Sequence, residues 1–594
     1  MSSLLIAWHI LPAFGSGSRL RPRSGARGWL GWVLLAVAAT SARAEVEIVG
    51  IEAAQLANVL AYSDLDELAC DAEQRSVRTR FDAAPGQLRT AMQAYGYYDI
   101  NLVRSLEFGA DCWIARFEID PGEPVRIRGL DIRVMGQAAM DPAFEAALAG
   151  HGLAVGGALE HARYDALKRR LSDLARDLGY ARAEFTASRL DIYPSERAVD
   201  IVLNFYSGPR YRFGEIRVEQ STLNQDLVRS YFGFQSGDPY LNRRLSEVYI
   251  DLSDSGYFET IDVRPLPPDH EAQTIDVAVS LTPATSRLIS YGVGFSSDTG
   301  PRLRFGRQNR RWNERGHQFG INAQLSPVIS EFTANYRFPY GDPRREWVSF
   351  DAGVLREDTD TAQSESIKVG ARRVFSLQND WWRTLMLDFA IEDFEVGNQI
   401  GRSRLLMPGV EWRRQRADSS IRPNRGSRLS FMVRAAADDV ASDTSFLQTV
   451  IEGKWIRSLW ERSRVIMRGQ VGILWEDSFQ DLPPSVRFFT GGDHTVRGYG
   501  FETLGPRDAS GEVVGGSRLL TTSIEYERLL RPKWSLAFFV DSGNAFEGTR
   551  IDAKTGVGFG ARWLSPLGPI RFDIAAPLDH DRSLRIHVNL GPDL

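Results

Sequence analysis

The stretch G-G-D-H-T-V-R-G-Y-G-F at positions 491–501 places one arginine, Arg497, among glycines and aromatic residues. Glycines allow a backbone to turn tightly and to approach a neighbouring wall closely. A guanidinium that such a loop buries needs a carboxylate partner, because an unpaired buried charge is costly. The stretch therefore predicts a loop that folds into an interior space and pairs Arg497 with acidic side chains.

The sequence around this loop, from residue 285 to residue 594, has the pattern of strands and turns. In R-V-I-M-R-G-Q-V-G-I-L-W (464–475) and S-L-R-I-H-V-N-L (583–590), apolar residues alternate with a mixed or polar set. This period of two fits a soluble β-sandwich as well as a membrane barrel, which turns its apolar face to lipid. Tryptophans near the predicted strand ends favour the barrel; they are Trp381, Trp382, Trp455 and Trp460. At about 10 residues per strand, the region predicts an all-β transmembrane barrel of about 16 antiparallel strands.

The same alternation identifies acidic residues that face the interior of this barrel. In L-L-T-T-S-I-E-Y-E-R (519–528) the apolar positions face outward, so Glu525 and Glu527 face inward. In L-A-F-F-V-D-S-G-N (536–544), Asp541 faces inward for the same reason. A guanidinium presents a fork of donors that can serve two carboxylates. We therefore expect Arg497 to pair with Asp541 and Glu525.

The region before the barrel repeats a pattern in which a helix ends in Gly-Tyr and two alternating strands follow. The glycines are Gly96, Gly179 and Gly256, and glycine commonly ends helices in the left-handed conformation. The pattern predicts three α+β units, each with the order strand, helix, helix, strand, strand. The expected bounds are 45–121, 122–207 and 208–284 for the three units and 285–594 for the barrel.

The N-terminal 44 residues have the features of a secretory signal peptide. Four arginines between positions 19 and 27 precede the apolar run W-L-G-W-V-L-L-A-V-A-A (29–39), and Ala42 and Ala44 form an A-x-A cleavage pattern. We expect cleavage after Ala44, with an uncleaved anchor helix as the alternative. Export to an oxidising compartment favours a disulfide between Cys70 and Cys112, and two free buried thiols are the alternative.

The composition excludes several classes of protein. The chain is 43% hydrophobic, and it lacks the repeated apolar stretches of about 20 residues that a helical membrane protein needs. A net charge of −5 makes it a poor nucleic-acid binder. The sequence shows no G-x-S-x-G elbow, no H-E-x-x-H pair and no phosphate-binding loop. We therefore expect a protein that is not an enzyme and that has no metal or cofactor.

Several of these segments also resemble the BamA/TamA superfamily of outer-membrane assembly proteins. V-R-G-Y, which is Val496, Arg497, Gly498 and Tyr499, resembles the signature of the sixth extracellular loop in that family. F-V-D-S-G-N (539–544) and I-E-Y-E (524–527) resemble the strands that supply its acidic partners. G-V-G-F-G-A-R-W-L-S-P-L-G-P-I-R-F-D-I-A-A-P-L (556–578) resembles the penultimate-strand region, and the Gly-Tyr units resemble POTRA domains.

The resemblance implies a location and a set of partners. The barrel would lie in the Gram-negative outer membrane with its POTRA domains in the periplasm, and three POTRA domains are most similar to the TamA branch. That branch implies a TamB-like periplasm-spanning partner bound through the POTRA domains. The implied clients are unfolded outer-membrane proteins, including autotransporters, which are inserted next to outer-membrane lipid.

The resemblance further implies a lateral seam between the first and last strands of the barrel. The seam residues would be Leu288, Ser290, Gly292 and Gly294 on the first strand and Leu584, Ile586 and Val588 on the last. The two glycines either weaken strand pairing or provide space beside a crowded lumen. Arg497 either anchors its loop structurally or takes part in a movement. The alternative functions are a two-partner secretion channel and the outer-membrane end of a TamB-type lipid path.

Overall fold

The computed structural model describes residues 45–109, 112–419, 421–565, 568–579 and 583–590. The predicted signal peptide, residues 1–44, lies outside the described residues. The described part of the chain contains three small mixed sheets followed by one 16-stranded sheet. None of its helices is long and apolar enough to cross a membrane.

Each of the three small sheets belongs to one α+β unit. The first unit contains β1 Glu45–Val49, α1 Ala53–Tyr62, α2 Gln74–Gln93, β2 Asn101–Phe108 and β3 Trp113–Asp120. The second contains β4 Arg126–Met135, α3 Pro142–Ala149, α4 His161–Leu178, β5 Glu184–Tyr193 and β6 Ala198–Tyr206. The third contains β7 Arg212–Glu219, α5 Gln225–Arg229, α6 Asn242–Ser255, β8 Phe258–Pro265 and β9 Thr274–Pro283. In each sheet the unit's last strand lies in the centre, parallel to the first strand and antiparallel to the other.

The units fold as their periodicity predicts. On the central strand β3, alternate residues such as Trp113 and Phe117 are buried against the helices. On α4 the buried residues recur at helical spacing, for example Leu167, Leu171 and Leu174. Cys70 and Cys112 are joined in a disulfide next to the first of these cores.

The Gly-Tyr steps lie where one unit meets the next. Gly179 and Gly256 directly follow α4 and α6 with left-handed backbone, as predicted. Gly96 is also left-handed, but α2 ends three residues earlier at Gln93, so a turn separates this glycine from its helix. The carbonyl of Gly96 accepts a hydrogen bond from Val125 N at 2.8 Å, and that of Gly179 accepts one from Tyr211 N at 2.8 Å. Gly96 and Gly179 therefore join consecutive units, and Gly179 and Gly256 end helices.

Replacing Gly179 with alanine is expected to disturb this junction more than the matched change at Gly256. Both changes place a side chain in left-handed backbone, which costs about 1–2 kcal/mol. A Cβ at Gly179 would also approach the Cβ of Tyr240 at 2.7 Å, whereas a Cβ at Gly256 meets nothing within 4 Å. The extra overpacking should add about 1–3 kcal/mol.

Hydrogen exchange read by mass spectrometry measures this difference directly. The amide of Tyr211, which donates to Gly179 O, should exchange at least about tenfold faster in Gly179→Ala, since a factor of ten corresponds to about 1.4 kcal/mol. In Gly256→Ala its exchange should stay near the wild-type rate. Equal exchange at Tyr211 in both variants would contradict a contact between the units at this glycine.

The large sheet is an antiparallel barrel in which every strand pairs with its sequence neighbours. Its strands are β10 Arg287–Ser296, β11 Gly300–Asn309, β12 Gln318–Leu325, β13 Ile329–Pro339, β14 Glu346–Asp358, β15 Ala362–Ser376, β16 Trp381–Val396, β17 Gln399–Ala417, β18 Arg425–Ala436, β19 Phe446–Trp460, β20 Ser463–Glu476, β21 Arg518–Arg531, β22 Trp534–Phe546, β23 Lys554–Ser565, β24 Gly568–Pro577 and β25 Arg585–Leu590. Apolar side chains such as Val293, Phe538 and Ile586 cover its outside. The predicted fold class, α+β units followed by a barrel of 16 antiparallel strands, is confirmed.

The third α+β unit contacts the end of the barrel at which β10 begins. Asn224 N donates a hydrogen bond to the carbonyl of Glu314, at 2.8 Å, in the turn between β11 and β12. The hydroxyl of Tyr257, from the third Gly-Tyr step, donates to Gly316 O at 2.5 Å in the same turn. The loops after β10, β12 and the other even-numbered strands therefore lie at the opposite end of the barrel.

Candidate functional site

The site is built around the loop of residues 477–517 between β20 and β21, which we call loop 6. Its central part is buried: Val496 is fully covered and Arg497 is only 4% exposed. Gly491 and Gly498 have left-handed backbone. A Cβ at Gly498 would lie 3.1 Å from the backbone between Ala576 and Pro577, so glycine is needed where loop 6 passes the end of β24.

Arg497 contacts the two carboxylates that the sequence suggests. Its Nε and Nη2 donate to the two oxygens of Asp541, at 2.7 and 3.0 Å, in a bidentate pair. Its Nη1 donates to Glu525 Oε2 at 2.8 Å. The backbone N–H of Arg497 also donates to Asp541, at 3.1 Å. The guanidinium lies 3.4 Å from the centre of the Phe539 ring, so the cation is held by charge on its edge and by an aromatic face.

The structure adds a third carboxylate and a second arginine to the two carboxylates expected from the sequence. Asp573 on β24 accepts from Arg497 Nη1 at 3.0 Å. Arg562 on β23 donates to Glu525 at 2.9 Å and to Asp573 at 2.5 Å. The pairing compensates the buried charges, which is the condition for keeping such groups away from water. Phe572 and Ile574 face outward, so alternation in I-R-F-D-I could have identified Asp573 as an inward residue.

The wall beneath Arg497 is made of glycine on β23. Gly556, Gly558 and Gly560 are the inward positions of G-V-G-F-G. A Cβ at Gly556 would collide with the carbonyl of Arg497, and a Cβ at Gly558 would collide with the Phe539 ring. The missing side chains leave the space in which loop 6 lies. The stretch 556–578 spans most of β23 and all of β24, rather than the penultimate strand alone.

A second buried arginine anchors the base of loop 6. Arg487 is fully buried and donates to the carbonyls of Leu482 at 2.8 Å and Val514 at 3.0 Å, which both belong to loop 6. Its Nη2 donates to Gln399 Oε1 on β17 at 2.7 Å. Loop 6 is therefore tied to the barrel wall at Arg487 as well as at Arg497. No sequence signal distinguished Arg487 from the many other arginines of the chain.

Tyr499 and Glu527 also contact charged residues, but not the ones that bind Arg497. Tyr499 donates its hydroxyl to Asp579 Oδ2 at 3.0 Å. Glu527 faces inward, as expected, but it accepts from Arg422 at 2.6 Å and from Arg464 at 2.9 Å instead of contacting Arg497. This second ion-pair cluster lies nearer the end of the barrel that faces the α+β units.

The first and last strands form the ends of the large sheet. Within the described residues no ladder of backbone hydrogen bonds joins β10 to β25, and β25 has only six residues. We call this junction the seam. A backbone hydrogen bond crosses it from Ser297 N to Val588 O at 3.2 Å, and Val588 N donates to Ser297 Oγ at 3.2 Å. Ser297, just beyond β10, was not among the residues expected here.

The expected seam residues lie on the two terminal strands or directly before the last one. Those on β10 are Leu288, Ser290, Gly292 and Gly294; Ile586 and Val588 are on β25, and Leu584 directly precedes it. A Cβ at Gly294 would approach Arg302 Nε at 2.7 Å, and one at Gly292 would lie 3.5 Å from Arg304. The short approach at Gly294 fits a glycine that provides space beside a crowded lumen, whereas the distance at Gly292 is an ordinary van der Waals contact.

Next to the seam, three side chains of metal-binding type lie together. Asp298, Asp493 and His587 place one ligand atom each within 4.8 Å of one another. The ring nitrogens of His587 are already in contact with Asp493 Oδ1, at 2.5 Å, and with Gly498 N, at 3.0 Å. The arrangement therefore serves as a hydrogen-bonded link inside the protein.

The amino-acid sequence is similar to two families of domains and to several known proteins. Residues 312–593 match the Omp85 superfamily domain, and residues 45–121 match the POTRA domain described as TamA domain 1. The outer membrane protein assembly factor BamA of Nitratidesulfovibrio vulgaris is 24% identical over 437 residues, covering 70% of this chain and 55% of BamA. BamA of Neisseria meningitidis is 22% identical over 485 residues, covering 70% of this chain and 60% of that protein. The chain thus spans little more than half the length of these relatives.

A solved structure has the same fold. The crystal structure of BamA from Haemophilus ducreyi lacking POTRA domains 1–3 superposes with a TM-score of 0.66 at 14% identity. The alignment covers 79% of this chain and 99% of that one. At this identity the similarity concerns the fold, a barrel preceded by α+β units.

Proposed function

We propose that this protein, which joins a TamA-type POTRA domain to an Omp85 superfamily domain, is an outer membrane protein assembly factor. The barrel lies in the outer membrane, and the POTRA domains lie in the periplasm. In this role the protein inserts unfolded outer-membrane proteins, autotransporters among them, through its seam. It performs no chemical reaction on its clients.

One observation carries the proposal: no backbone ladder closes the barrel between β10 and β25 in the described residues. An unpaired N–H or C=O group costs several kcal/mol in hydrocarbon, so an incoming strand must form hydrogen bonds before it meets lipid. The terminal strands offer backbone groups for this purpose, as any sheet edge does. Few bonds have to break before a client strand can pair with them.

The α+β units support a role in binding extended partners. In each of the three sheets one outer strand, β2, β5 or β8, has no strand partner on its outer edge in the described residues. The outer edges of β4 and β7 are partly covered by backbone hydrogen bonds to residues 156–159 and 237–240. An exposed edge binds an extended segment by strand addition, with main-chain hydrogen bonds supplying affinity. We propose that these edges receive client strands and a TamB-like periplasm-spanning partner. The match of residues 45–121 to the first POTRA domain of TamA supports this choice of partner.

Reconstitution of the full chain into liposomes tests the proposal. An unfolded autotransporter barrel is added, and its protease-resistant insertion is followed together with the ion conductance of the same vesicles. We expect insertion at least about tenfold faster than in protein-free vesicles, because strand pairing removes several kcal/mol from the barrier. Conductance should stay low, since loop 6 occupies the lumen. Large steady conductance without client insertion would contradict the proposal and indicate a secretion channel.

A further inference from the structure

We propose that His587 is a positioning residue that couples loop 6 to the seam. It holds loop 6 and both terminal strands in one hydrogen-bonded link, so that displacement of loop 6 loosens the contact between β25 and the end of β10. The proposal goes beyond the assembly function above, because it concerns the barrel in the absence of a client.

The two ring nitrogens of His587 connect β25 to two points in loop 6. Gly498 N donates to His587 Nε2 at 3.0 Å, so Nε2 must be unprotonated. The proton of the neutral ring therefore lies on Nδ1, which donates to Asp493 Oδ1 at 2.5 Å. Gly498 directly follows Arg497, so this hydrogen bond fixes the backbone next to the buried guanidinium.

Asp493 continues the link to the other side of the seam. It accepts hydrogen bonds from the hydroxyls of Ser296 and Ser297, both at 3.2 Å. Its backbone N–H donates to Asp298 Oδ2 at 2.7 Å. Ser297 in turn exchanges two hydrogen bonds with Val588 on β25. The link thus runs from β25 through loop 6 to the end of β10 and returns to β25.

Burial makes the members of this link depend on one another. His587 is 4% exposed and Asp493 is 7% exposed, so either group would lie in a poorly hydrated space if its partner moved away. A buried polar group without a partner costs more than the hydrogen bond itself contributes. Displacing loop 6 while β25 and the end of β10 stay in place therefore leaves these groups without partners, in addition to breaking the contacts of Arg487 and Arg497.

Two substitutions each remove one of the two hydrogen bonds of His587, and we call them the half variants. In His587→Asn the amide nitrogen lies near the position of Nδ1 and can donate to Asp493, but nothing remains to accept from Gly498. In His587→Gln the amide oxygen lies near the position of Nε2 and can accept from Gly498, but the bond to Asp493 is lost. His587→Leu removes both bonds. Asn589→Ala is the matched control at the next inward position of β25, since Asn589 has one long contact with loop 6, at 3.4 Å to His494 Nε2, that does not continue to β10 among the contacts described.

The test measures loop 6 and the seam separately in the full chain in proteoliposomes. Spin labels on Phe295→Cys and Ile586→Cys report the distance across the seam, since both side chains face outward on β10 and β25. Trypsin cleavage after the exposed Arg507 reports release of loop 6. We expect His587→Leu to broaden and lengthen the distance distribution and to raise the cleavage rate at least about tenfold.

The half variants distinguish coupling from a local structural role. His587→Gln should keep loop 6 protected near Gly498 while the seam distance broadens, and His587→Asn should give intermediate effects on both. Asn589→Ala should leave both readouts unchanged. The proposal is overturned if His587→Leu changes one readout without the other, if it changes neither, or if Asn589→Ala has the same effects. If His587→Leu does not fold, wild-type behaviour of both half variants overturns it as well.

Discussion

Replacing Arg497 with alanine is expected to release the tip of loop 6 and to destabilise the barrel by about 3–5 kcal/mol, the cost of removing one partner from a buried ion pair. The reason is the charge that remains. Asp541 would lose a bidentate partner, and Glu525 and Asp573 would each lose Arg497 while keeping their contacts with Arg562. The wall of β23 would also face an empty space.

Heat-dependent unfolding of the barrel, followed by its gel mobility, measures this loss of stability. Trypsin cleavage in loop 6 measures the release and should accelerate at least about tenfold. Glu512→Ala is a matched control on the same loop, because the Glu512 side chain is exposed and only its backbone makes hydrogen bonds among the contacts described, so the tryptic site at Arg507 is kept. Arg497→Lys should give an intermediate result, since it keeps the charge but loses the planar fork.

A wild-type unfolding temperature and cleavage rate in Arg497→Ala would show that the ion pairs do not hold loop 6. If the barrel is destabilised but client insertion per folded molecule is unchanged, Arg497 is a structural anchor. If insertion falls beyond the loss of folded protein, loop 6 also takes part in client handling. These outcomes decide between the two roles that the sequence left open for Arg497.

Linking β10 to β25 covalently is expected to reduce client insertion at least about tenfold while the barrel stays folded. A short bis-maleimide reagent joins Phe295→Cys on β10 to Leu590→Cys on β25, which the hydrogen bonds between Ser297 and Val588 place opposite each other, and the native disulfide does not react with it. When the seam is linked, a client strand cannot pair with the terminal strands. The backbone of the client would then enter lipid unpaired, which costs several kcal/mol per group. The measurement is protease-resistant insertion of the autotransporter barrel in liposomes.

The matched control links two strands that are already paired. Phe538 on β22 lies opposite Phe559 on β23, and both face outward. Cysteines at these positions, joined by the same reagent, should leave insertion near the wild-type rate, as should each single cysteine at the seam. Undiminished insertion with the seam linked would refute the lateral route and would leave the lumen as the path.

Much of the site follows from local patterns in the sequence. The alternation of apolar residues around Glu525 and Asp541 sets the face on which each carboxylate lies, because neighbouring side chains of a strand point to opposite faces. The glycines around Arg497 indicate a loop that approaches a wall. The same reasoning applied to I-R-F-D-I would have placed Asp573 on the inner face.

Other parts of the site could not be obtained in this way. Alternation gives the face of a residue but not its height along the barrel axis, and this height decides that Glu527 pairs with Arg422 and Arg464 while Glu525 pairs with Arg497. Arg487 has no pattern around it that marks a buried cation. Its role depends on the path of loop 6, which brings carbonyls from distant positions around one guanidinium.

The sequence by itself determined the three α+β units, the strand content of the barrel and the inward face of its acidic residues, because these depend on interactions between near neighbours. Only the tertiary structure decided which inward groups meet. Asp493 and His587 lie 94 positions apart, and they touch because the stagger of 16 strands brings the end of the sheet back to its beginning. Stagger and closure depend on the whole sheet, and no short segment of the chain encodes them.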